Sequence, residues 1–451
     1  MEIMIRRHRE LLAPRQYPLL YWSALIYLVG VPNFLHFDVT GRTHTQGIFN
    51  LTSVCQIAIA VISAYVLAVT LLLERRPLIP RKLELGLSLW IPLLLLFCVA
   101  TLLQPAARLT PYSPTDKLIS LYRLGEWVIG FGLITALYSR SPKAESTSLL
   151  VQMIGRVSWI WICIVWIVLP VMPSQAYGTS DELASKVPQL GGQLISPSYL
   201  ATLTIAAFFY ALFFFPKGLF RVLGCLVCLV TIFLAHTRIE QISLLLLILI
   251  YCLFFAGRLL RLLTIACMLV AVPVIAVLRD TLLQYFSRGQ ALKTLATLND
   301  RTFVWQAALD AARLRPILGY GFMAGARNAI RDHWHYPNWL PPHAHNEYIQ
   351  GLLSGGVIAV VLVLLIYGRG IWLSIKNCGQ GRESVLLLFL MVLFTVRSMG
   401  GSNFTTPYTR VGALFLLTFI AIVASNTTLR RRRQRTSEVP HIEREFSERT
   451  A

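Results

Sequence analysis

Long apolar runs are the feature of this chain that most restricts its fold. A helix needs roughly 20 consecutive apolar residues to cross a hydrocarbon core of about 30 Å. About twelve runs approach that length, at positions 19–35, 48–73, 85–103, 118–137, 154–171, 199–215, 219–234, 239–255, 259–278, 348–372, 385–396 and 412–424. Of the 451 residues, 56% are hydrophobic and only 14% are charged, with a mean hydropathy of +0.62. These values predict an all-α polytopic membrane protein with about twelve transmembrane helices.

The connections between the runs predict one transmembrane domain over residues 1–429. Pro216-Lys217-Gly218 and Gly257-Arg258 are short and typical of tight turns between helices. Residues 280–346, between the ninth and tenth runs, form a far longer connection, and loops of that length are usually functional. Residues 430–451 form a basic tail. The first run lacks a small-residue cleavage site, so we expect it to be retained as a span.

Lysine and arginine concentrate in every second connection, which predicts the orientation of the chain. The positive-inside rule places these short basic loops, both termini and the tail in the cytoplasm, and the loop 280–346 on the outer face. A net charge of +20 would indicate nucleic acid in a soluble protein. Here the charge lies in membrane-flanking loops, so no nucleic-acid partner is expected. Seven of the eight cysteines fall in apolar runs, so no disulfide framework is predicted, and Cys225 and Cys228 are interpreted as packing residues.

A histidine pair lies where the long loop meets the tenth run, in Pro341-Pro342-His343-Ala344-His345-Asn346-Glu347. A neutral imidazole can accept a proton near neutral pH, and the positive end of the following helix disfavours the imidazolium form. This position predicts chemistry on a lipid-borne substrate, with His345 neutral. The alternative is that the loop's histidines and tryptophans only anchor it at the headgroup level. A zinc site at His333, His335, His343 and His345 is disfavoured by their spacing.

Arginines on the predicted outer face indicate an anionic ligand. They are Arg238 in a short turn, and Arg288, Arg301, Arg313, Arg315, Arg327 and Arg331 in the long loop. The planar guanidinium donates two hydrogen bonds to a phosphate and stays charged. Headgroup contacts and ion pairs with nearby carboxylates are equally consistent with each arginine. Beyond Asp181-Glu182, the outer face has no closely spaced acidic pair for metal-dependent sugar transfer, so we expect no metal and no cofactor.

Residues 299–321 predict a surface helix followed by a turn. Asn299 is expected to cap the amphipathic helix and Pro316 to end it. Its predicted apolar face consists of Phe303, Ala307, Ala311 and Leu314. Gly319-Tyr320-Gly321 predicts a tight turn that brings backbone close to a ligand. Within the fourth run, Arg123 and Glu126 predict a buried ion pair.

These residues resemble the signature of the bacterial O-antigen ligase and polymerase superfamily. The resemblance covers residues 236–370. It rests on His345-Asn346 followed after nine residues by Gly356, on Arg301 and Trp305, on Pro316-Ile317-Leu318-Gly319-Tyr320-Gly321, and on Thr237-Arg238. The chain departs from the pattern at Ala359 and at Ile239-Glu240, and the second departure weakens the assignment of Arg238.

The resemblance implies a GT-C-like glycosyltransferase of lipopolysaccharide biosynthesis in the bacterial inner membrane, with a periplasmic active site. It implies transfer of an O-antigen glycan from undecaprenyl diphosphate to lipid A-core, with inversion and without a metal. His345 would be the general base, and Arg301 and Arg238 would stabilise the departing diphosphate. Implied substrate-binding residues are Arg288, Asn346, His343, Tyr320 and Arg327.

Three other functions remain open at this point. The nearest is an O-antigen or exopolysaccharide polymerase, which would join two lipid-linked glycans with the same histidine and arginines. The spacing Arg, ten residues, Gly, described for polymerase loops, occurs here at Arg75 and Gly86 on the predicted inner side, which favours the ligase. A protein O-oligosaccharyltransferase would need a peptide acceptor. A transporter would use Arg123 and Glu126 to line a pathway.

Overall fold

The computed structural model describes residues 17–32, 51–74, 85–103, 114–141, 146–178, 187–281, 301–335 and 341–426. Its helices are α1 (Pro18–Val29), α2 (Leu51–Glu74), α3 (Leu85–Ser88), α4 (Trp90–Leu102), α5 (Pro114–Arg140), α6 (Ser146–Val171), α7 (Pro173–Ala176), α8 (Pro197–Phe214), α9 (Leu219–Leu234), α10 (Arg238–Ile250), α11 (Arg258–Val277), α12 (Arg301–Leu314), α13 (Ala324–Asp332), α14 (Glu347–Asn377), α15 (Arg382–Ser398) and α16 (Arg410–Asn426). A π-helical turn, Tyr251–Phe255, follows α10, and a 3-10 turn, Cys378–Gln380, follows α14. Strands β1 (Tyr177–Gly178) and β2 (Gln189–Leu190) pair antiparallel. Arg288, Asn299, Asp181-Glu182 and the basic tail lie outside the described residues.

Each predicted apolar run overlaps a helix, which confirms the helical, multi-pass membrane class. Among the described residues, seven helices are long and apolar enough to cross a membrane: α2, α5, α6, α8, α10 with its π-turn, α11 and α14. Helices α1, α4, α9 and α16 are apolar but shorter, with 10 to 17 residues. The total of about twelve spans therefore stays a prediction.

The core lies around α16, which is buried along nearly its whole length and surrounded by other helices. Helices α2 and α11 lie at the opposite extreme. In α11, Leu269 is 72% exposed and Val277 is 83% exposed, and in α2 Leu73 is 79% exposed. Such apolar surface would be costly in water, but lipid tails are as apolar as these side chains. These two helices therefore present side chains suited to the hydrocarbon of the bilayer.

Helices α12 and α13 pack on the first half of α14 and form a second, smaller core. The buried face of α12 is rotated by part of a turn from the predicted apolar face. Val304, Ala307 and Ala311 are buried, whereas Leu314 is 60% exposed. Small alanine side chains let α12 approach its neighbours closely, which a face containing Phe303 and Leu314 would not allow.

Two smaller predictions are confirmed within the described residues. Arg123 Nη1 lies 3.0 Å from Glu126 Oε2 inside α5, so this pair is a structural ion pair. All eight cysteines are described and free, and Cys228 packs in the core of α9.

Candidate active site

Two separate parts of the sequence motif come into contact at a break in α14. Gly356 has a φ of +67°, and the backbone of Gly355 is also non-helical. The segment 316–321 docks into this break through backbone hydrogen bonds from Val357 N to Pro316 O (2.7 Å), Tyr320 N to Leu353 O (2.6 Å) and Gly321 N to Ser354 O (3.1 Å). The backbone of this turn therefore approaches α14, and its approach to a ligand stays a prediction.

Glycine is required at this junction because there is no space for a side chain. A Cβ on Gly356 would lie 1.9 Å from Ile317 O, and one on Gly319 would lie 2.5 Å from Leu353 O. Both residues also have positive φ values, +67° and +62°, which L-residues with a Cβ rarely adopt. The junction fixes the position of α12 relative to the start of α14.

The start of α14 is capped by Asn346. Its Oδ1 accepts hydrogen bonds from Tyr348 N (3.0 Å) and Ile349 N (3.1 Å), and its Nδ2 donates to Met399 O (3.1 Å). Asn346 thus ties the helix start to the turn that follows α15, in addition to satisfying two backbone donors.

The peptide just before His345 is held from two sides. Trp305 Nε1 donates to Ala344 O (2.9 Å), and Ala344 N donates to Gln350 Oε1 (2.9 Å). His345 itself has a φ of +50°, a left-handed conformation that costs a residue with a side chain about 1 kcal/mol or more. Such a conformation persists where neighbouring contacts hold it in place. The hydrogen bonds from Trp305 to Ala344 and from Ala344 to Gln350 hold it here. Trp305 of the predicted arginine–tryptophan helix therefore positions the histidine.

The rings of His343 and His345 lie against each other. Their ring centroids are 4.0 Å apart with an interplanar angle of 37°, and His345 is only 8% exposed. Desolvation, followed by the charges of Arg301 and Arg397, lowers the pKa of His343 to about 4. Desolvation also lowers the pKa of His345 well below 6.5, followed by the effects of His343, Arg301 and Arg397. Both imidazoles are therefore neutral at neutral pH, as predicted for His345.

Arg301 and Arg397 are the two cations whose charge reaches the histidine pair. Arg301 Nη1 donates to Gly400 O (2.5 Å). Arg397 is 4% exposed, and its Nη1 donates to Ser402 O (3.0 Å) and Asn403 Oδ1 (2.7 Å). Arg301 was predicted from the sequence, whereas Arg397 was not. Arg397 could have been found from its position directly after an apolar run and shortly before Gly400-Gly401.

A buried carboxylate holds the turn that carries these contacts. Glu347, in the first turn of α14, accepts hydrogen bonds from Phe404 N (3.1 Å), Thr405 N (2.9 Å) and Asn403 N. An anion at this position is also stabilised by the helix dipole. Glu347 therefore anchors the segment 399–406, which accepts hydrogen bonds from Arg301, Asn346 and Arg397.

The start of α10 meets this same turn. Arg238 is the first residue of α10, and a Cβ on Gly400 would lie 2.3 Å from Ile239 Cδ1 and 3.0 Å from Arg301 Nη1. Two residues further along α10, Glu240 Oε1 lies 3.5 Å from Arg397 Nε. The departure from the family pattern at Ile239-Glu240 thus has a structural use, because these two side chains contact the turn and its arginine.

The other predicted site residues lie in structural contacts. The buried Tyr320 donates its hydroxyl to Ala311 O (2.8 Å), and Arg315 lies 5.0 Å above its ring. Arg327 Nη2 lies 3.5 Å from Asp116 Oδ1 and links α13 to α5. Contact of either residue with a substrate stays a prediction, as does that of Arg288.

The structure does not bring the four loop histidines together. His333 Nδ1 lies 3.0 Å from Ala329 O, within its own helix. Across the described ranges, no three His, Cys, Asp or Glu side chains converge in a way that would hold a metal ion.

Part of this site lies in a segment that is similar to a known protein family. Residues 223–364 match the family model described as O-Antigen ligase. Less than a third of the chain is therefore similar to that family. The matched segment includes Arg238, Arg301, His345 and Gly356, and it ends before Arg397.

Two curated proteins are similar to parts of the chain. One is "Exopolysaccharide production protein ExoQ" of Rhizobium meliloti, 30% identical over 148 residues, which are 31% of this chain and 33% of that protein. Another is "Putative polysaccharide ligase" of Rickettsia felis, 34% identical over 83 residues, which are 17% of this chain and 20% of that protein. The similarity therefore spans a third or less of each relative.

Proposed function

We propose that the protein is a glycosyltransferase that moves a glycan from undecaprenyl diphosphate to a sugar hydroxyl of lipid A-core. The observation that carries the proposal is the close pair of buried, neutral histidines, whose pKa values are lowered by desolvation and by the charges of Arg301 and Arg397. A neutral imidazole is a proton acceptor, and a pair of guanidinium groups suits a diphosphate. The match to the O-Antigen ligase family model supports the same assignment.

In the proposed reaction, His345 removes the proton of the attacking hydroxyl. The hydroxyl oxygen then bonds to the anomeric carbon as the bond from that carbon to the diphosphate oxygen breaks, and the diphosphate leaves with the electron pair. A single displacement of this kind inverts the anomeric configuration. General-base catalysis commonly contributes about 10²- to 10⁴-fold in rate. Arg301, Arg397 and Arg238 would stabilise the charge that develops on the leaving group, a role otherwise filled by a metal ion.

The same arginines would couple base strength to donor binding. In the free protein, their positive charges lower the pKa of both imidazoles. A diphosphate bound between them would offset that positive charge and raise the pKa of His345 towards neutrality. His345 would therefore become a stronger base when the donor is bound, and both groups would act on the outer, periplasmic face of the bacterial inner membrane.

A polymerase is the second candidate, and one observation favours it. The longer of the two curated matches is to an exopolysaccharide production protein. Such an enzyme would use the same base and arginines but would take a second lipid-linked glycan as acceptor. The identity of the product separates the two functions.

The test is glycan transfer by the purified full chain in lipid vesicles that contain undecaprenyl diphosphate-linked glycan and lipid A-core. We expect glycan on the core lipid, and a loss of about 10²-fold in kcat for Arg301→Gln. Arg313→Gln is the matched control on the same helix, because Arg313 is 79% exposed and pairs only with the surface carboxylate of Asp310 among the described residues. Longer lipid-linked glycans without core product would favour the polymerase, and no transfer of either kind would contradict both functions.

A further inference from the structure

A cavity lies away from the histidine pair, among α1, α2, α5 and the start of α16. It has a volume of about 40 Å³, and its wall includes Gln56, Ile59, Glu126, Tyr408, Thr409 and Arg410. The last turn of α1 also contributes to the wall, and Arg410 is the first residue of α16. The cavity therefore lies beside the end of α1 and the start of α16. The 399–409 segment connects it to the histidine site, since that segment contacts Glu347 at one end and reaches the cavity at Tyr408.

Arg410 supplies a positive charge to this cavity. Its Nη2 donates to Val31 O, and its guanidinium lies 5.1 Å above the ring of Trp161. Its Nε is buried and has no hydrogen-bond partner, and within the described part of the chain no carboxylate forms an ion pair with it. A buried guanidinium without a counter-ion is costly, so an anion in the cavity would stabilise it.

Tyr408 supplies a second donor next to the arginine. Its hydroxyl is buried and has no hydrogen-bond partner. The ring is fixed in place, because it packs edge-on against Trp127 at 5.0 Å and fills the space beside Gly130. A buried hydroxyl without an acceptor is costly, so a ligand oxygen that reached it would stabilise it.

Glu126 does not form an ion pair with Arg410, because its carboxylate is used within α5. Arg123 Nη1 lies 3.0 Å from Oε2, and the Tyr122 hydroxyl donates to Oε1 at 3.0 Å. The glutamate and Arg123 thus neutralise each other. The cavity is left with one guanidinium and one hydroxyl that suit the same anionic acceptor.

The apolar surroundings identify the source of that anion. Helix α2 contributes Ile59 to the wall, and its outer face carries Val61 (62% exposed) and Ile62 (60% exposed). A ligand whose phosphate enters the cavity can lay an acyl tail along this apolar face. We propose that the cavity binds the phosphate headgroup of a membrane lipid through Arg410 and Tyr408. This inference does not depend on the proposed transferase function.

The test is native mass spectrometry of the purified full chain titrated with phosphatidylglycerol. Tyr408→Phe keeps the ring and removes the hydroxyl, so we expect binding to weaken about fivefold. Ile59→Trp fills the cavity, so we expect binding to weaken about tenfold or more. Ile62→Trp is the matched control on the outer face of α2 and should bind like the wild type. Thermal unfolding of each variant checks that it is folded.

Two further titrations fix the chemistry of the ligand. Diacylglycerol with the same acyl chains lacks the phosphate and should bind at least about fivefold more weakly. Inorganic phosphate lacks the tail and should fail to displace phosphatidylglycerol. Equal binding of diacylglycerol, displacement by inorganic phosphate, or wild-type binding by Ile59→Trp would each overturn the proposal.

Discussion

At the scale of single residues, the histidine site is built from groups that water would normally solvate. His345 is almost fully buried in a left-handed backbone conformation, next to His343 and two arginines. The burial, the neighbouring imidazole and the two arginines each disfavour the imidazolium form of His345. The arrangement therefore keeps a proton acceptor neutral beside two permanent cations, at some expense in stability.

The depressed pKa of His343 predicts a pH dependence of stability. In the unfolded chain the imidazole has a pKa near 6.5, whereas in the folded protein it is about 4. Between these values the unfolded state binds the extra proton, so the free energy of unfolding should fall as the pH drops from 6.5 towards 4. His343→Gln should reduce this fall by about 1 to 2 kcal/mol, measured by unfolding in detergent at about pH 7.5 and 5.

The exposed His335 provides the control for that measurement. His335→Gln should leave the pH dependence as it is in the wild type. A wild-type pH dependence in His343→Gln would show that the imidazole of His343 titrates normally in the folded protein.

The sequence identified some residues of the site and missed others for a definite reason. His345, Arg301 and Asn346 stand in a local motif whose spacing is visible in the chain. Arg397 was missed because it reaches the site only through the turn after α15 and its contacts with Asn403 and Glu240. The contact with Glu240 joins positions that are far apart in sequence, and no local pattern encodes it.

At the scale of elements, the break in α14 is what assembles the motif. A continuous helix would bond Leu353 O within the helix, but here Leu353 O accepts from Tyr320 N at 2.6 Å. The motif glycine therefore provides a docking place for the 316–321 segment, which in turn holds α12 and its Arg301 and Trp305. The sequence predicted the turn but not its partner, because backbone contacts between segments leave no periodic pattern.

Substitution of Gly356 tests this docking. Gly356→Ala would place a Cβ 1.9 Å from Ile317 O in a residue with a φ of +67°. We expect the free energy of unfolding to fall by about 3 kcal/mol or more, with loss of transfer activity. The measurement is thermal unfolding in detergent, combined with the transfer assay.

Gly368 in the same helix is the matched control for this substitution. A Cβ there meets nothing within 4 Å. Gly368→Ala should keep or slightly raise stability, because alanine favours a helix by about 1 kcal/mol over glycine. Equal stability of the two variants would contradict the docking role of Gly356.

At the scale of the whole molecule, the apolar runs predicted the helices well because a bilayer imposes a length that is visible in sequence. They did not predict how the helices pack. The buried course of α16 and the exposed faces of α2 and α11 depend on which helices are neighbours. Apolar side chains look alike in sequence whether they face lipid or protein, so this part of the fold required the structure.

The proposed orientation can be tested by cysteine labelling in cells. Arg313→Cys lies on α12 at a position that is 79% exposed, which we place on the periplasmic side. A membrane-impermeant maleimide added to spheroplasts should label it. Lys217→Cys, in the exposed turn between α8 and α9, should be labelled only after the membrane is permeabilised. The reverse pattern would contradict the orientation, and the unsubstituted chain gives the background from its own cysteines.

The most direct test of the account is glycan transfer by His345→Ala in reconstituted vesicles that contain both lipid-linked substrates and EDTA. We predict that the wild type transfers glycan under these conditions and that His345→Ala loses about 10²- to 10⁴-fold in rate. His333→Ala, in the same loop but bonded within its own helix, should retain wild-type activity. Undiminished transfer by a folded His345→Ala variant would contradict the role of His345 as the base.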